Sequence, residues 1–285
     1  MTKSRKIQGI IVPLLTPLAT PETIDEAAAR RLVDHVIGGG VHGIFILGST
    51  GEGPALSGAA QREFIRICAD AVGGRVPLLA GISGASAAES ASLGKFAAGA
   101  GADAVVAAPP CYLPPDEDEQ VAFYRYLAES VPLPLFVYNM PSLTRVSLQL
   151  SALERILAIP GVAGYKDSSG DLAAFRAVLE RFGPRPDLSL LVGPDELTGE
   201  TVMLGGDGGV NGGANLKPRL FADLYEAAKR KDAGKVAELQ ARVVELGKLY
   251  GTPVTTPGVI RAMKREAARM GLCRNVLAVP ALPLE

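Results

Sequence analysis

Short apolar runs alternate with longer amphipathic stretches along most of the chain. The runs predict strands at residues 7–16, 41–47, 76–82, 102–108, 134–138, from 162 to Lys166, 189–192 and 208–210. The stretches between them have helical spacing and predict helices at 25–37, 59–72, 87–99, 116–130, 148–158, 172–182, 196–204 and 219–229. Glycines that end several of these helices stand just before the next strand. This order favours parallel strands joined by crossover helices.

Eight such units predict an α/β fold of the (β/α)8 TIM barrel type. An open doubly wound sheet is the alternative, but no Gly-x-Gly-x-x-Gly pattern follows the first strand. Two further helical stretches, 233–249 and 257–270, exceed what a barrel needs. We therefore divide the chain into a catalytic barrel at residues 1–231 and a C-terminal helical extension at residues 232–285.

Composition and charge argue against several classes of protein, including nucleic-acid-binding, membrane-spanning and disulfide-rich proteins. The 285-residue chain is 48% hydrophobic and has a formal net charge of −1, so charge gives no reason to expect nucleic acid as a partner. No apolar stretch of about 18 residues predicts a membrane span, and no signal-peptide pattern opens the chain. The three cysteines have neither disulfide nor metal-ligand spacing. We expect a cytoplasmic protein with no metal.

The predicted strand ends carry the chemistry, because the site of such a barrel lies at the carboxyl ends of its strands. Lys166 is the only lysine at a strand end. A charged amine there is costly unless it is paired or acts as a neutral nucleophile, although a lysine can also snorkel to water. Tyr138 ends the preceding strand and can carry a proton to or from an imine. Ser49 and Thr50 lie in a glycine-flanked turn that offers N–H groups and hydroxyls to a carboxylate, or is an ordinary loop.

Three motifs resemble the dihydrodipicolinate synthase / N-acetylneuraminate lyase family. They are Gly-Ser-Thr-Gly-Glu at 48–52, Tyr-Asn-Met-Pro at 138–141 and Gly-Tyr-Lys-Asp at 164–167, in the expected order. The resemblance covers nearly the whole chain. It implies a (β/α)8 barrel with a C-terminal helical extension, pyruvate-type Schiff-base chemistry without metal or organic cofactor, and a homotetramer.

The resemblance also implies roles for single residues. Lys166 becomes the nucleophile that forms the imine, and Tyr138 becomes the proton relay together with the Thr50 hydroxyl. Ser49 and Thr50 hold the carboxylate of the 2-oxo acid. Tyr112 matches a tyrosine that reaches across a subunit boundary, with local packing on its proline-rich loop as the alternative.

Departures from the family pattern concern the second substrate. In the synthases an arginine stands after Tyr-Asn-x-Pro with one residue between and binds a second carboxylate, but Leu143 stands there in this chain and cannot do so. Arg145 is two residues further on. Leucine is similar to the neuraminate lyases, whose acidic pair for substrate hydroxyls resembles Asp195 and Glu196, although acids at a helix start also suit the helix dipole. Asn211 replaces a hydroxyl-bearing residue of those lyases, which argues against N-acetylneuraminate itself.

These features lead to one preferred function and three alternatives. The preferred function is a Schiff-base lyase that cleaves or forms a 2-keto-3-deoxy acid, with pyruvate and an aldehyde as partners and Asn211 among the substrate contacts. A dehydratase could use the same imine to remove water from a 2-keto-3-deoxy sugar acid. A dihydrodipicolinate synthase and a non-catalytic 2-oxo acid binding protein rank lower, the latter because the lysine, tyrosine and Ser-Thr turn are intact.

Overall fold

Short, mostly buried strands form the centre of the molecule. The computed structural model describes residues 6–251 and 255–282. Its barrel strands are β1 (Gly9–Pro13), β2 (Gly43–Ile46), β3 (Leu78–Gly81), β4 (Ala104–Ala107), β5 (Leu135–Asn139), β6 (Val162–Asp167), β7 (Ser189–Val192) and β8 (Gly208–Val210).

The strands close into a barrel in which every pairing is parallel. Each strand pairs with the next in sequence, and β1 pairs with β8 as well as with β2. The pairing of first and last strands excludes an open doubly wound sheet. The prediction of a (β/α)8 barrel is confirmed.

Helices surround the barrel and extend beyond it. They are α1 (Glu26–Gly38), α2 (Gly58–Val72), α3 (Ala87–Ala100), α4 (Glu117–Ser130), α5 (Leu150–Ile156), α6 (Leu172–Phe182), α7 (Thr198–Met203), α8 (Pro218–Lys229), α9 (Ala233–Gly247) and α10 (Thr256–Arg269). Most begin after a side chain that accepts a hydrogen bond from the first turn: Asp25, Ser57, Ser86, Asp116, Asp171, Asp232 and Thr255. None of the helices in the described ranges is long and apolar enough to cross a membrane.

Side chains of each strand point alternately into the barrel and towards the helices, so the buried side chains form two separate layers. Side chains that point inward fill the barrel, among them Ile11, Phe45, Phe136 and Leu191. Their neighbours point outward and pack against the helices, as Tyr165 does. Because successive residues of a strand face opposite sides, the barrel interior and the strand–helix interface are distinct surroundings. Gly164 is required here, since a Cβ atom would lie 2.2 Å from the Phe136 ring.

The structure corrects several predicted boundaries. The strand predicted at 7–16 ends at Pro13, because the Leu15 N–H bonds the Asn215 side chain at 3.0 Å instead of a neighbouring strand. An unpredicted antiparallel hairpin follows at Leu18–Thr20 and Thr23–Ile24. The helix predicted at 148–158 starts later, at Leu150. Its delay has a physical cause, since the Leu148 N–H donates to the Asn139 side chain at 3.2 Å on the barrel rim.

The helices predicted at 196–204 and 233–249 each include a tighter turn. A 3₁₀ turn at Asp195–Leu197 precedes α7, and another at Lys248–Tyr250 follows α9. The predicted helix at 257–270 is α10, displaced by one residue at each end. The extension therefore consists of α9, α10 and the tail that follows them, and it packs against the barrel without an intervening linker.

Candidate active site

Tyr138 and Lys166 face each other across β5 and β6. They are register partners in the parallel pairing of the two strands. The Lys166 Nζ lies 3.5 Å from the centroid of the Tyr138 ring, and each residue is only 5% exposed. The amine and the aromatic side chain are therefore buried together at the carboxyl ends of the strands.

A serine hydroxyl completes the surroundings of the amine. Lys166 Nζ donates to Ser168 Oγ at 2.7 Å. Gly193, just past the end of β7, makes room for this hydroxyl, because a Cβ there would lie 1.9 Å from Ser168 Oγ. Ser168 was not among the predicted site residues. Its position two residues after the lysine is the signal that could have placed it in the site.

Burial and charge change the acidity of both groups. Burial lowers the pKa of the Lys166 ammonium, and the opposing influence of Tyr138 and of the Asp167 carboxylate does not cancel this effect. Burial alone would raise the pKa of the Tyr138 phenol, but the charge of Lys166 and hydrogen bonds from Ser49, Lys166 and Ser168 lower it. A lysine that loses its proton more easily is a better nucleophile, and an acidified phenol is a better proton donor.

The Ser49–Thr50 turn lies beside the tyrosine. Ser49 Oγ is 3.4 Å from the Tyr138 hydroxyl, while Thr50 is half-buried next to it. The Ser49 hydroxyl is thus at hydrogen-bond distance from the phenol, and the relay through the Thr50 hydroxyl that the family resemblance implies stays a prediction. Thr16, at the end of the first predicted strand, is fully buried and donates to the Gly51 carbonyl at 2.5 Å. Through this hydrogen bond, Thr16 supports the turn from its buried side.

A second network lies on the outer face of the same two strands. Asn139 and Asp167 are also register partners, and Asn139 Nδ2 donates to Asp167 Oδ1 at 2.7 Å. The same carboxylate accepts from the Tyr165 hydroxyl at 2.9 Å and from the Ser169 hydroxyl at 2.7 Å. Asp167 is 3% exposed, so this buried anion holds the backbone that carries Tyr138 and Lys166. Asn139 and Asp167 were predicted only as members of the Tyr-Asn-Met-Pro and Gly-Tyr-Lys-Asp motifs, without a role of their own.

The two acidic residues after β7, Asp195 and Glu196, have different surroundings. Asp195 accepts from the Gly213 N–H at 2.9 Å and ties the loop after β7 to the loop after β8. Burial, opposed by the Gly213 N–H and aided by the charge of Glu196, raises the pKa of Asp195 to about 7. Glu196 is exposed. Asn211 is fully buried, and its amide donates to Thr198 Oγ1 at 2.7 Å.

Two other predicted site residues lie further out. Tyr112 is 86% exposed, so it does not pack locally on its loop. Leu143 is 42% exposed and lies on a one-turn helix, Pro141–Thr144, directly after the strand that carries Tyr138. Arg145 ends that helix in the left-handed region with φ of 60° and is exposed. Across the described ranges, no group of three or more His, Cys, Asp or Glu side chains could hold a metal ion.

The geometry suits covalent chemistry on a carbonyl group. It brings together a buried amine of lowered pKa, a phenol and the hydroxyls of Ser49 and Ser168. An amine that forms an imine provides an electron sink, and a phenol within the same space moves protons to and from the bound substrate.

Comparison of the sequence with known proteins gives a consistent family. A model described as the dihydrodipicolinate synthetase family matches residues 6–285. The 4-hydroxy-tetrahydrodipicolinate synthase of Leptothrix cholodnii is 32% identical over 98% of this chain and 93% of its own. The N-acetylneuraminate lyase of Salmonella agona is 33% identical over 96% of this chain and 92% of its own.

Solved structures that resemble this chain include members of the same family. A dihydrodipicolinate synthase from Bacteroides thetaiotaomicron has a TM-score of 0.94 and 41% identity, covering 99% of this chain and 95% of that one. A chloride-inhibited dihydrodipicolinate synthase from Acinetobacter baumannii, complexed with pyruvate, has a TM-score of 0.91 and 29% identity over 98% and 94% of the two chains.

Proposed function

Because the chain belongs to the dihydrodipicolinate synthetase family, whose members are lyases of the class I aldolase type, we propose that it cleaves or forms a 2-keto-3-deoxy acid through an imine on Lys166. Pyruvate is one partner and an aldehyde is the other. The pairing of Lys166 with Tyr138 supports the imine chemistry, and Leu143 is the single observation that carries the choice of substrate.

The proposed cleavage begins when the neutral Lys166 amine attacks the C2 carbonyl of the 2-oxo acid and water leaves. The protonated imine then accepts the electron pair of the C3–C4 bond as that bond breaks. Tyr138 gives its proton to the departing water when the protonated imine forms, and the resulting phenolate takes the proton of the C4 hydroxyl, which becomes the aldehyde carbonyl. The re-formed phenol is then the proton source for C3 of the enamine. Protonation of the enamine at C3 and hydrolysis of the imine release pyruvate and regenerate the amine.

The turn after β2 supplies the carboxylate site in this proposal. Ser49 and Thr50 bring two hydroxyls and the N–H groups of a glycine-flanked turn to the side of the pocket that holds Tyr138. Charge-assisted hydrogen bonds of this kind fix the 2-oxo acid with its C2 carbonyl near Lys166. The exposed carboxylate of Glu196 is the acceptor for hydroxyls of the substrate, since Asp195 already bonds Gly213.

Most of the relatives named above are synthases, so the synthase reaction is a second candidate. That reaction requires a cationic partner for the carboxylate of aspartate semialdehyde. Leu143 occupies the place of the arginine, and its isobutyl group cannot donate a hydrogen bond. We therefore rank aldol cleavage first. A dehydratase is favoured only by Ser168, whose hydroxyl is 2.7 Å from Lys166 Nζ and could deliver a proton to a departing hydroxide.

The exposed Tyr112 supports an assembly of several copies. An aromatic side chain that is 86% exposed beside the barrel mouth is suited to burial by a second copy of the chain. We propose that Tyr112 enters the mouth of a neighbouring copy in a homotetramer.

One panel of substrates separates these candidates. The protein is incubated with a series of 2-keto-3-deoxy acids, and pyruvate release and loss of water are measured separately. The aldolase proposal expects pyruvate and an aldehyde in equal amounts. Loss of water without pyruvate would make the protein a dehydratase, and condensation of pyruvate with aspartate semialdehyde as the fastest reaction would make it a synthase.

A further inference from the structure

A buried ion pair joins the C-terminal extension to the turn beside the active site. Glu52 follows the Ser49–Thr50 turn, and Lys264 lies on α10. Their side chains meet with Glu52 Oε1 2.5 Å from Lys264 Nζ, and the two side chains are 5% and 0% exposed. This is an unusual depth for two charged groups, which proteins bury only when they are paired.

Both partners are also bound to the tail that follows α10. Lys264 Nζ donates to the Val276 carbonyl at 2.6 Å. The other oxygen of Glu52 accepts from the Ala278 N–H at 2.8 Å. The carboxylate therefore has one oxygen on the helix and one on the tail, so its position is fixed from two directions by the extension.

The same glutamate closes the turn. Its N–H donates to the Ser49 carbonyl at 3.0 Å, and its backbone adopts φ of 57°, in the left-handed region that non-glycine residues rarely occupy. Ser49 in turn reaches the Tyr138 hydroxyl at 3.4 Å. A continuous chain of contacts thus runs from the tail through Lys264 and Glu52 to Ser49 and the catalytic tyrosine.

Stability alone does not account for such a pair. Replacing a buried ion pair with apolar groups of similar volume is often neutral or stabilising, because two charges lose their hydration on burial. What the pair provides that apolar residues cannot is a directional constraint on the Glu52 carboxylate, and through the Glu52 backbone on the turn.

We propose that Glu52 and Lys264 are positioning residues through which the C-terminal extension sets the carboxylate-binding turn of Ser49 and Thr50. The inference rests on the proposed function of that turn. It assigns the extension a role in binding the 2-oxo acid, although neither residue of the pair touches the substrate.

The test uses borohydride trapping of pyruvate, with the pyruvate concentration that gives half-maximal trapping as the readout. Lys264→Met leaves the Glu52 carboxylate buried without its cationic partner, and the double variant Glu52→Gln/Lys264→Met removes both charges while an acceptor remains for Ala278. We expect the half-trapping concentration to rise roughly 10–100-fold in both variants, because small misplacements of binding groups are costly.

The melting temperature of each variant distinguishes a loss of positioning from a loss of stability. It should fall in Lys264→Met and return towards the wild-type value in the double variant, while the half-trapping concentration stays high. A double variant with both values close to wild type would overturn the inference. The matched control is Glu238→Gln/Lys235→Met, which removes an exposed ion pair from α9 of the same extension and should leave trapping unchanged.

A measurement on the unaltered protein does not depend on how the variants fold. Pyruvate should slow amide hydrogen exchange at residues 48–53 and, through the Glu52 carboxylate, at Ala278. Protection of 48–53 without any change at Ala278 would also overturn the inference. Failure of the proposed function has a different result, namely that wild-type protein traps no pyruvate on Lys166.

Discussion

Tyr138 and Lys166 are direct register partners on neighbouring parallel strands, and the lysine nitrogen lies 3.5 Å from the centre of the tyrosine ring. Their chain neighbours Asn139 and Asp167 are paired in the same way on the other face of the strands and are joined by a hydrogen bond. One pair forms the proposed reactive centre, and the other fixes the backbone that carries it.

Lys166 should form a reducible imine. Pyruvate with borohydride is expected to add one reduced pyruvyl group, found by mass spectrometry on the peptide that contains Lys166. Lys166→Arg keeps the positive charge but has no nucleophilic amine at any accessible pH, so it should remain folded and unlabelled. Labelling of a different lysine would contradict the mechanism.

Tyr138→Phe removes only a hydroxyl. We expect turnover to fall by roughly 10²–10⁴-fold, the usual contribution of a positioned proton carrier, while the imine with pyruvate still forms. The measurement is kcat beside borohydride labelling. Tyr126→Phe, at a tyrosine that is 43% exposed on α4, is the control and should have no effect. A loss of only a few-fold in Tyr138→Phe would mean that another group carries the proton.

Asp167→Asn should change the pH dependence of imine formation. The Asp167 carboxylate raises the pKa of Lys166 against the larger effect of burial. Without that charge, the pKa falls further and the neutral amine persists to lower pH. The low-pH limb of the trapping rate should therefore move to lower pH. Asp171→Asn, which keeps a helix-capping side chain in the same segment, should leave the limb unchanged.

Leu143→Arg should favour the synthase reaction. A charge-assisted hydrogen bond contributes roughly 1.5–3 kcal/mol, so a guanidinium there should improve condensation with aspartate semialdehyde by about 10–100-fold. The same change should impair cleavage of neutral polyol substrates by crowding the site. Leu150→Arg, at a leucine of similar exposure, is the control. Efficient condensation by the natural protein would instead direct attention to Arg145 as the donor.

Asp195→Asn should alter the pH dependence of stability. The pKa of Asp195 is about 7, above its usual value of 3.8, because the carboxyl is buried. The folded state therefore holds this proton more tightly than the unfolded state, and stability falls as the pH rises from about 4 to about 7. Relative to Asp195→Asn, the wild-type free energy of unfolding should fall by about 1–3 kcal/mol over this interval. Urea denaturation at several pH values measures the difference, and parallel curves would contradict it.

The sequence by itself predicted the order of the elements, the closed parallel barrel and the strand ends that carry Lys166, Tyr138 and Ser49. These features follow from local pattern, since apolar runs, helical spacing and terminal glycines specify elements whatever lies beside them. Local pattern predicted element boundaries less accurately where a hydrogen bond at the barrel rim displaced them. The helix after β5 begins late because Asn139 holds the Leu148 N–H.

Only the tertiary structure decided which side chains meet. The contact of Ser168 with Lys166 depends on side-chain direction at the strand end, and the approach of Ser49 to Tyr138 joins residues that are 89 positions apart. The pairing of Glu52 with Lys264 joins a loop to a helix of the extension. Such contacts depend on how the barrel closes and how the last helices return across it. The hydrophobic periodicity of the sequence does not predict these contacts, because it reflects only the helix, strand or loop to which each partner belongs.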